Sequence, residues 1–425
     1  ATDEALVLRA PQAYLERWLP AAGGLLQEPM FAGAAARAEQ ARTYSPGSLR
    51  PETARALYGA ELHFSSSRID VLAGCRFAHF LQYGLRAQER EPAEFDSRFY
   101  GTFVHDVLEH VVQQTEREGG FAAVPRSRVQ ELAQERMEQN AQTLLETFPD
   151  SGRTGYLLRR TFDEVTQVVD ELYDELSVSA FRPKFCELEF SARGALPGVA
   201  FAGERCRGVV EGFVDRVDVW QSGGRPYVRV VDYKTGKKSF DYTNVLHGRG
   251  LQMLLYLFAL VRQGGHLLHG EPLPAGVLYF PARIERVSVR DRLAQAEIEK
   301  ERRKQLRRSG VLLNSDPVLE AMEPCGGSPR FLPYALDKEG RKTGDLASFA
   351  QLAQLERFVF RTVAALGDEL ADGRIDPDPC IRDAKDSACA FCPYSEVCAG
   401  HEQPRWLKKI TAEEFWQTLE RREHG

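Results

Sequence analysis

The stretch Val228-Arg-Val-Val-Asp232-Tyr-Lys234 constrains this chain more than any other part of it. It reads as a β-strand, so alternate side chains share a face and Val228, Val230, Asp232 and Lys234 point one way. A carboxylate and an ammonium closing an apolar strand face are costly unless paired or used. The preceding strand, Gly208–Trp220, carries Asp215 near its end, placed to face Asp232 across the sheet. Gln221-Ser-Gly-Gly224 reads as the hairpin loop between the two. Two carboxylates supply hard oxygen ligands for Mg2+ or Mn2+, and a neighbouring lysine can orient a water or stabilise charge on a phosphate. A structural Asp–Lys ion pair is the bland alternative, and these three residues alone fit either.

The flanking elements predict an α/β core with a mixed central sheet flanked by helices. Phe185–Ala192 and Gly276–Phe280 read as further strands, with a helix over Leu251–Arg262 between the hairpin and the last strand. Ser66 or Ser67 can cap a helix through Ile69, Leu72 and Ala73. A second helix opens near Thr102 and stops by Gly119-Gly120, and Arg126–Thr147, Tyr156–Ser177 and Ser348–Leu370 are long helices. Gln252 and Tyr256 lie four residues apart and share a helix face. His105 falls within the Thr102 helix, where a lone histidine is more often structural than a ligand. Residues 1–62 carry only short helical runs such as Ala13–Trp18, with no chemical signature. The Arg/Lys-rich stretch 282–308 reads as a solvated helix face, with a DNA-contacting face as the alternative.

At 425 residues the chain holds one large domain with insertions or two to three ordinary ones. A net charge of −6 argues against general coating of nucleic acid but leaves room for a local basic channel. The most apolar stretch, Leu251–Val261, is about half as long as a spanning helix, so no membrane and a cytoplasmic setting are expected. The chain begins without Met and without a leader, which suggests processing or excision from something larger.

Eight cysteines in a reducing compartment suggest metal binding where they cluster. Cys389-Ala-Phe-Cys392-Pro-Tyr-Ser-Glu-Val-Cys398 is such a cluster, and a four-ligand site needs one more thiol. Spacing favours Cys380, while Cys75 lies more than three hundred residues upstream. Zinc and iron–sulfur sites follow similar spacing rules.

Glu211-Gly-Phe-Val-Asp215-Arg-Val-Asp218, Asp232-Tyr-Lys234-Thr-Gly236 and Gln252-Met-Leu-Leu-Tyr256 together resemble the motifs of PD-(D/E)XK nucleases of the RecB group. The resemblance implies a PD-(D/E)XK core with helical insertions and a C-terminal Cys-rich clasp. It implies Asp215 and Asp232 as metal ligands, Lys234 as the catalytic lysine and Gln252 and Tyr256 as the flanking motif. His105 matches a first-helix histidine that helps hold the metal. Asp218 sits on the opposite strand face from Asp215, and Glu187 or Glu189 could add another acid, a choice left open here. The segment Ser65–Leu85 and the cysteine triplet resemble AddB-type nucleases, in which a distant cysteine and the triplet jointly hold a [4Fe–4S] cluster. That likeness implies Cys75, Cys389, Cys392 and Cys398 as ligands, leaving Cys186, Cys206 and Cys325 as ordinary residues.

Arg308–Met322 looks like the segment that follows the last core strand in that family, and Gly373–Pro379 also fits. The implied organisation is a segment of unknown role over 1–62, a nuclease domain over 63–401 with 281–350 as an insertion or extension, and a helical tail over 402–425. The implied activity is a Mg2+-dependent deoxyribonuclease acting on single strands from a helicase, in double-strand-break processing and recombinational repair. AddB proteins carry this domain behind helicase-like domains that are absent here, and no phosphate-binding Gly-x4-Gly-Lys-Ser/Thr loop occurs. The chain therefore reads as the nuclease portion of a larger protein, or as a compact relative served by a separate AddA-like helicase subunit. The rival reading is a non-catalytic DNA-binding or scaffolding module that keeps the nuclease shape.

Overall fold

The computed structural model describes residues 47–87, 97–147, 152–236, 239–284, 297–298, 301, 304–398 and 404–424. The expected helical run Ala13–Trp18 and most of the basic stretch 282–308 lie outside them. The longer helices are α1 (Pro51–Tyr58), α2 (Ser66–Gly74), α3 (Ser97–Arg117), α4 (Arg126–Thr147), α5 (Gly152–Leu176), α6 (Gln252–Gln263), α7 (Phe349–Ala371) and α8 (Ala412–His424). The strands are β1 (Leu62–Ser65), β2 (Arg182–Phe190), β3 (Val199–Ala202), β4 (Arg207–Ser222), β5 (Arg225–Lys234), β6 (Leu273–Pro281) and β7 (Ser309–Leu313). Shorter ones follow: β8 (Tyr334–Leu336), β9 (Lys342–Gly344), β10 (Leu346–Ala347), β11 (Cys380–Ile381) and β12 (Arg405–Trp406).

The central sheet is mixed, in the order β1-β4-β5-β6-β7-β10, with β2 and β3 also paired to the long β4. β4 and β5 form the hairpin, and its turn is shorter than expected: Ser222 pairs with Arg225, leaving Gly223 and Gly224 at φ +58° and +77°. Two successive positive φ values are what a tight turn matched to strand twist requires, and glycine supplies them without strain. β5 pairs in parallel with β6, bringing Asp232 level with Tyr279. The parallel crossover runs through α6, whose residues Met253–Leu260 are all buried, consistent with its continuous apolar sequence. Helices α3, α4 and α5 pack on one another, and α3 lies against β2 and β4.

Several expected boundaries change. Ser65, rather than Ser66 or Ser67, caps α2, its hydroxyl accepting the Arg68 N–H at 3.2 Å. Ser348 caps α7 in a reciprocal capping box with Gln351. Within 281–350, β7 pairs antiparallel with β6 and β10 pairs with β7, so these strands extend the central sheet. The tail also packs inward, with β12 paired to β11 and Phe415, Trp416 and Leu419 of α8 buried.

Candidate active site and cysteine clasp

The β4–β5 ladder ends at Arg216 opposite Val231. Asp215 is the next residue of β4, mid-strand rather than near its end, and its Oδ2 accepts the Tyr233 N–H at 2.6 Å. A carboxylate thus stands where the strands part. His105, on α3, donates from Nε2 to the Tyr233 carbonyl at 2.8 Å, which leaves Nδ1 facing Asp215 Oδ2 at 3.5 Å. A carbonyl can only accept, so Nε2 carries a proton and Nδ1 is the ring nitrogen left facing the carboxylate. Tyr233 therefore organises both neighbours through its main chain.

Glu187 completes the group. Donor atoms of His105, Glu187 and Asp215 all lie within 4.8 Å of one another. Glu187 sits at φ +48°, a conformation costly for a side chain of its size, and such outliers cluster at functional sites. Glu189 is engaged elsewhere, accepting the Ser191 hydroxyl at 2.6 Å, so the structure separates the two acids that the sequence could not. Burial first, then the charges of Asp215, Glu109 and Asp232, push the Glu187 carboxyl up to about 7. Burial and Asp232 likewise raise Asp215, against the lowering pull of His105, the Tyr233 N–H and Lys234. Asp232 is 5% exposed, and its buried Oδ2 is ion-paired with Lys234 Nζ. Carboxylates crowded in this way are short of positive charge, and three donors of oxygen and imidazole type fit a divalent cation.

The flanking pair behaves less uniformly. Gln252 opens α6, partly exposed, and its side chain has no hydrogen-bond partner among the described residues. Tyr256 is buried, stacked on Phe190 at 4.9 Å, and its hydroxyl donates to the Glu211 carbonyl at 3.3 Å. It braces β4 beside Gly212, where an added Cβ would fall 2.2 Å from the Tyr256 hydroxyl. Glu109, one helical turn after His105, is a residue that sequence reasoning passed over; the i, i+4 spacing was the available signal.

Asp218 points the other way, as its offset implied, into a buried ionic cluster. Arg216 Nε and Arg229 Nε donate to its two oxygens, each at 2.8 Å. Glu175 of α5 takes Arg229 Nη2 and Arg308 Nε, each at 2.9 Å. Arg216 Nη1 donates to the Tyr233 hydroxyl at 2.9 Å, tying this cluster to the residue that orients the metal-site groups. Burial alone would raise Glu175, yet Arg308, Arg229 and Arg216 hold it at about 2.

Cys75, Cys389, Cys392 and Cys398 line one cavity of about 390 Å3, while Cys380 turns away and donates its thiol to the Ala73 carbonyl at 3.3 Å. Among the described residues no three of the four sulfurs lie within 4.8 Å of one another. A single tetrahedral zinc needs sulfur–sulfur spacings of roughly 3.8 Å, closer than any three of these sulfurs stand. Burial pushes Cys75 up to about 11, with Cys389 adding to it. The chain ends meet here through Arg76 as well: its N–H donates to Asp378 Oδ1 at 3.1 Å and its Nη1 to Asp378 Oδ2 at 2.6 Å, across 302 positions of sequence.

A mixed sheet bearing Asp215, Asp232 and Lys234 beside His105 of α3 defines the class. The chain belongs to the PD-(D/E)XK nuclease superfamily, which it matches over residues 63–399. Among curated proteins it is similar to an ATP-dependent helicase/deoxyribonuclease subunit of Moorella thermoacetica, 34% identical over 357 residues that cover 83% of this chain and 31% of that protein. Proteins of the same name from a Thermoanaerobacter species and from Oceanobacillus iheyensis are 30% and 28% identical, covering 86% and 83% of this chain and 33% and 31% of their own lengths. The chain thus spans about a third of the curated relatives it matches.

Proposed function

We propose that this chain hydrolyses DNA phosphodiester bonds with a divalent cation, Mg2+ or Mn2+, held by His105, Glu187, Asp215 and Asp232. The convergence of a histidine and two carboxylates beside the Asp232–Lys234 pair carries the reading. The cation, when bound, polarises the scissile phosphate and lowers the pKa of an attacking water. Lys234, anchored on Asp232, presents its ammonium to that water or to charge developing on phosphate oxygens. Tyr233 holds Asp215 and His105 in register through its N–H and carbonyl. Tyr256 keeps β4 in place beneath them, and Gln252 stands free to contact the substrate backbone.

Cys75, Cys389, Cys392 and Cys398 are proposed to carry a [4Fe–4S] cluster that clasps the domain ends; their shared cavity and the spacing of the triplet support it. Four thiolate bonds closing so long a loop add stability chiefly by restricting the unfolded chain. The relatives are named as parts of an ATP-dependent helicase/deoxyribonuclease. By that likeness this domain acts on single strands delivered by an AddA-like helicase subunit or by helicase domains of its own protein, in cytoplasmic double-strand-break processing and recombinational repair. No helix among the described residues is long and apolar enough to cross a membrane.

The test is cleavage of end-labelled single-stranded DNA with Mg2+, wild type beside Asp232→Ala. Cleavage by the wild type alone is expected. Full activity in the variant overturns the site, and binding of DNA ends without cleavage in any divalent metal favours a scaffolding module. A broad visible absorption band after anaerobic purification is expected of the clasp; colourless protein with bound zinc overturns the cluster.

A further inference from the structure

Between the metal site and the cysteine cavity lies a groove of about 690 Å3, lined among others by Tyr279, Phe240, Asn244, Arg249, Arg382 and Phe391. One end adjoins the Asp232–Lys234 pair, because the Tyr279 ring lies 5.8 Å from Lys234 Nζ. The other end is walled by Cys75 and Cys392, which also line the cysteine cavity.

Arg249 is presented into this groove by a rigid loop. Its neighbours Gly248 and Gly250 sit at φ +80° and +68°, and the Gly250 N–H is fixed by Asp70 Oδ1 at 2.7 Å. The guanidinium is only loosely engaged: its nearest carboxylate contact, Asp386 Oδ1, is 3.9 Å away, and its buried Nη1 has no hydrogen-bond partner among the described residues. Arg382 directs Nη1 to Asp241 and Asp386 at 3.0 and 3.1 Å, leaving buried Nε and Nη2 without partners among the described residues. Buried donors without acceptors are rare in folded proteins, and this groove gathers three of them.

The acids along the groove, Asp70, Asp241 and Asp386, are each already engaged. Asp241 already accepts the Thr243 and Asn244 N–H groups as well as Arg382, and Asp70 accepts the Gly250 N–H. His247, two residues before Arg249, is held below its ordinary pKa first by burial and then by Arg405, Arg422, Arg249 and Arg382. At the cysteine end Phe391 is 96% exposed, an aromatic ring kept in solvent between two cysteines. Arginine donors, aromatic faces and a groove leading to a phosphodiesterase centre are the recognised ingredients of single-strand binding.

We propose that this groove holds a single strand of DNA on its way to the metal site, with Arg249 turned onto a backbone phosphate and Phe391 stacked on a base. The inference rests on the nuclease reading above and deepens it. Arg382 is a positioning residue, keeping Asp241 and Asp386 occupied so that neither captures Arg249.

The test is fluorescence anisotropy of labelled oligo(dT) with the full chain in Ca2+, so that binding is read without turnover. Arg249→Ala is expected to weaken binding roughly ten-fold. It should also reduce the slope of log affinity against log salt by about 0.7, the signature of one lost phosphate contact. Phe391→Ala is expected to weaken binding about five-fold or more with the salt slope unchanged. Because that ring is exposed, the variant keeps the fold and tests the groove even if Arg249→Ala melts early. Ca2+ affinity, read by calorimetry, should match the wild type in both, and Arg357→Ala, remote on α7, should bind as the wild type does. Wild-type affinity in both groove variants, or an equal loss in Arg357→Ala, overturns the proposal. If the wild type cleaves DNA while both groove variants bind normally, only this inference falls; a wild type that neither binds nor cleaves overturns the nuclease reading as well.

Discussion

The two faces of β4 carry acids to opposite ends. On one, Asp215, Asp232, Glu187 and Glu109 crowd together against Lys234 and the His105 imidazole. On the other, Asp218 and Glu175 are enclosed by Arg216, Arg229 and Arg308, all five at 2% exposure or less. The first face has fewer cations than acids and is partly open, so burial and mutual repulsion raise Glu187 and Asp215. The second has a surplus of fixed cations and is sealed, so Glu175 is lowered and its acids serve as staples. Charge balance and access, not residue type, separate a site from a brace.

The sharpest way to break this contrast is on the sealed side. Asp218→Ala leaves Arg216 and Arg229 buried and uncompensated, and should destabilise the fold by about 3–5 kcal/mol in urea unfolding. A change below about 1 kcal/mol would mean that the cluster is no brace. On the open side, Lys234→Ala should slow cleavage by about 10^2–10^3-fold with little change in melting temperature. Equal loss of stability would turn Lys234 into a structural partner.

The pH response should also differ in sign. Glu187 is raised to about 7, so in metal-free protein it costs no stability below its ordinary range near 4.5 and a growing amount as pH rises through 7. Glu175 is lowered to about 2, so its stabilisation is complete above 4.5 and lost as pH falls through 2. Glu187→Gln should therefore raise the metal-free melting temperature at pH 8 but not at pH 4, while reducing stabilisation by Mg2+ at pH 8. No pH dependence in that difference would remove the crowding argument. The smallest effect belongs to Tyr256→Phe, which keeps the stack on Phe190 and loses one long hydrogen bond, about 1 kcal/mol or less by urea unfolding.

Much of the open face was legible in the sequence. Alternation in Val228–Lys234 set Asp232 and Lys234 side by side, the glycine pair fixed the hairpin, and helical spacing placed His105 and the α6 pair. The choice of Glu187 over Glu189 was not legible, because it depends on a positive φ within β2 that no local rule demands. Nor was the α6 pair's division of labour, since Tyr256 is claimed by packing and Gln252 is not. The short strands β1, β3 and β7 carry too few residues for periodicity to reveal them.

The sequence by itself determined which acids, histidines and thiols were candidates, which thiols are clustered, and which strand faces Asp215, Asp218, Asp232 and Lys234 occupy. Only the tertiary structure decided how those charges are balanced. Arg308 meets Glu175 across 133 positions, and Arg76 meets Asp378 across 302. An acid's role follows from the cations and water within a few ångströms of it, and contacts that distant along the chain leave no local pattern to read.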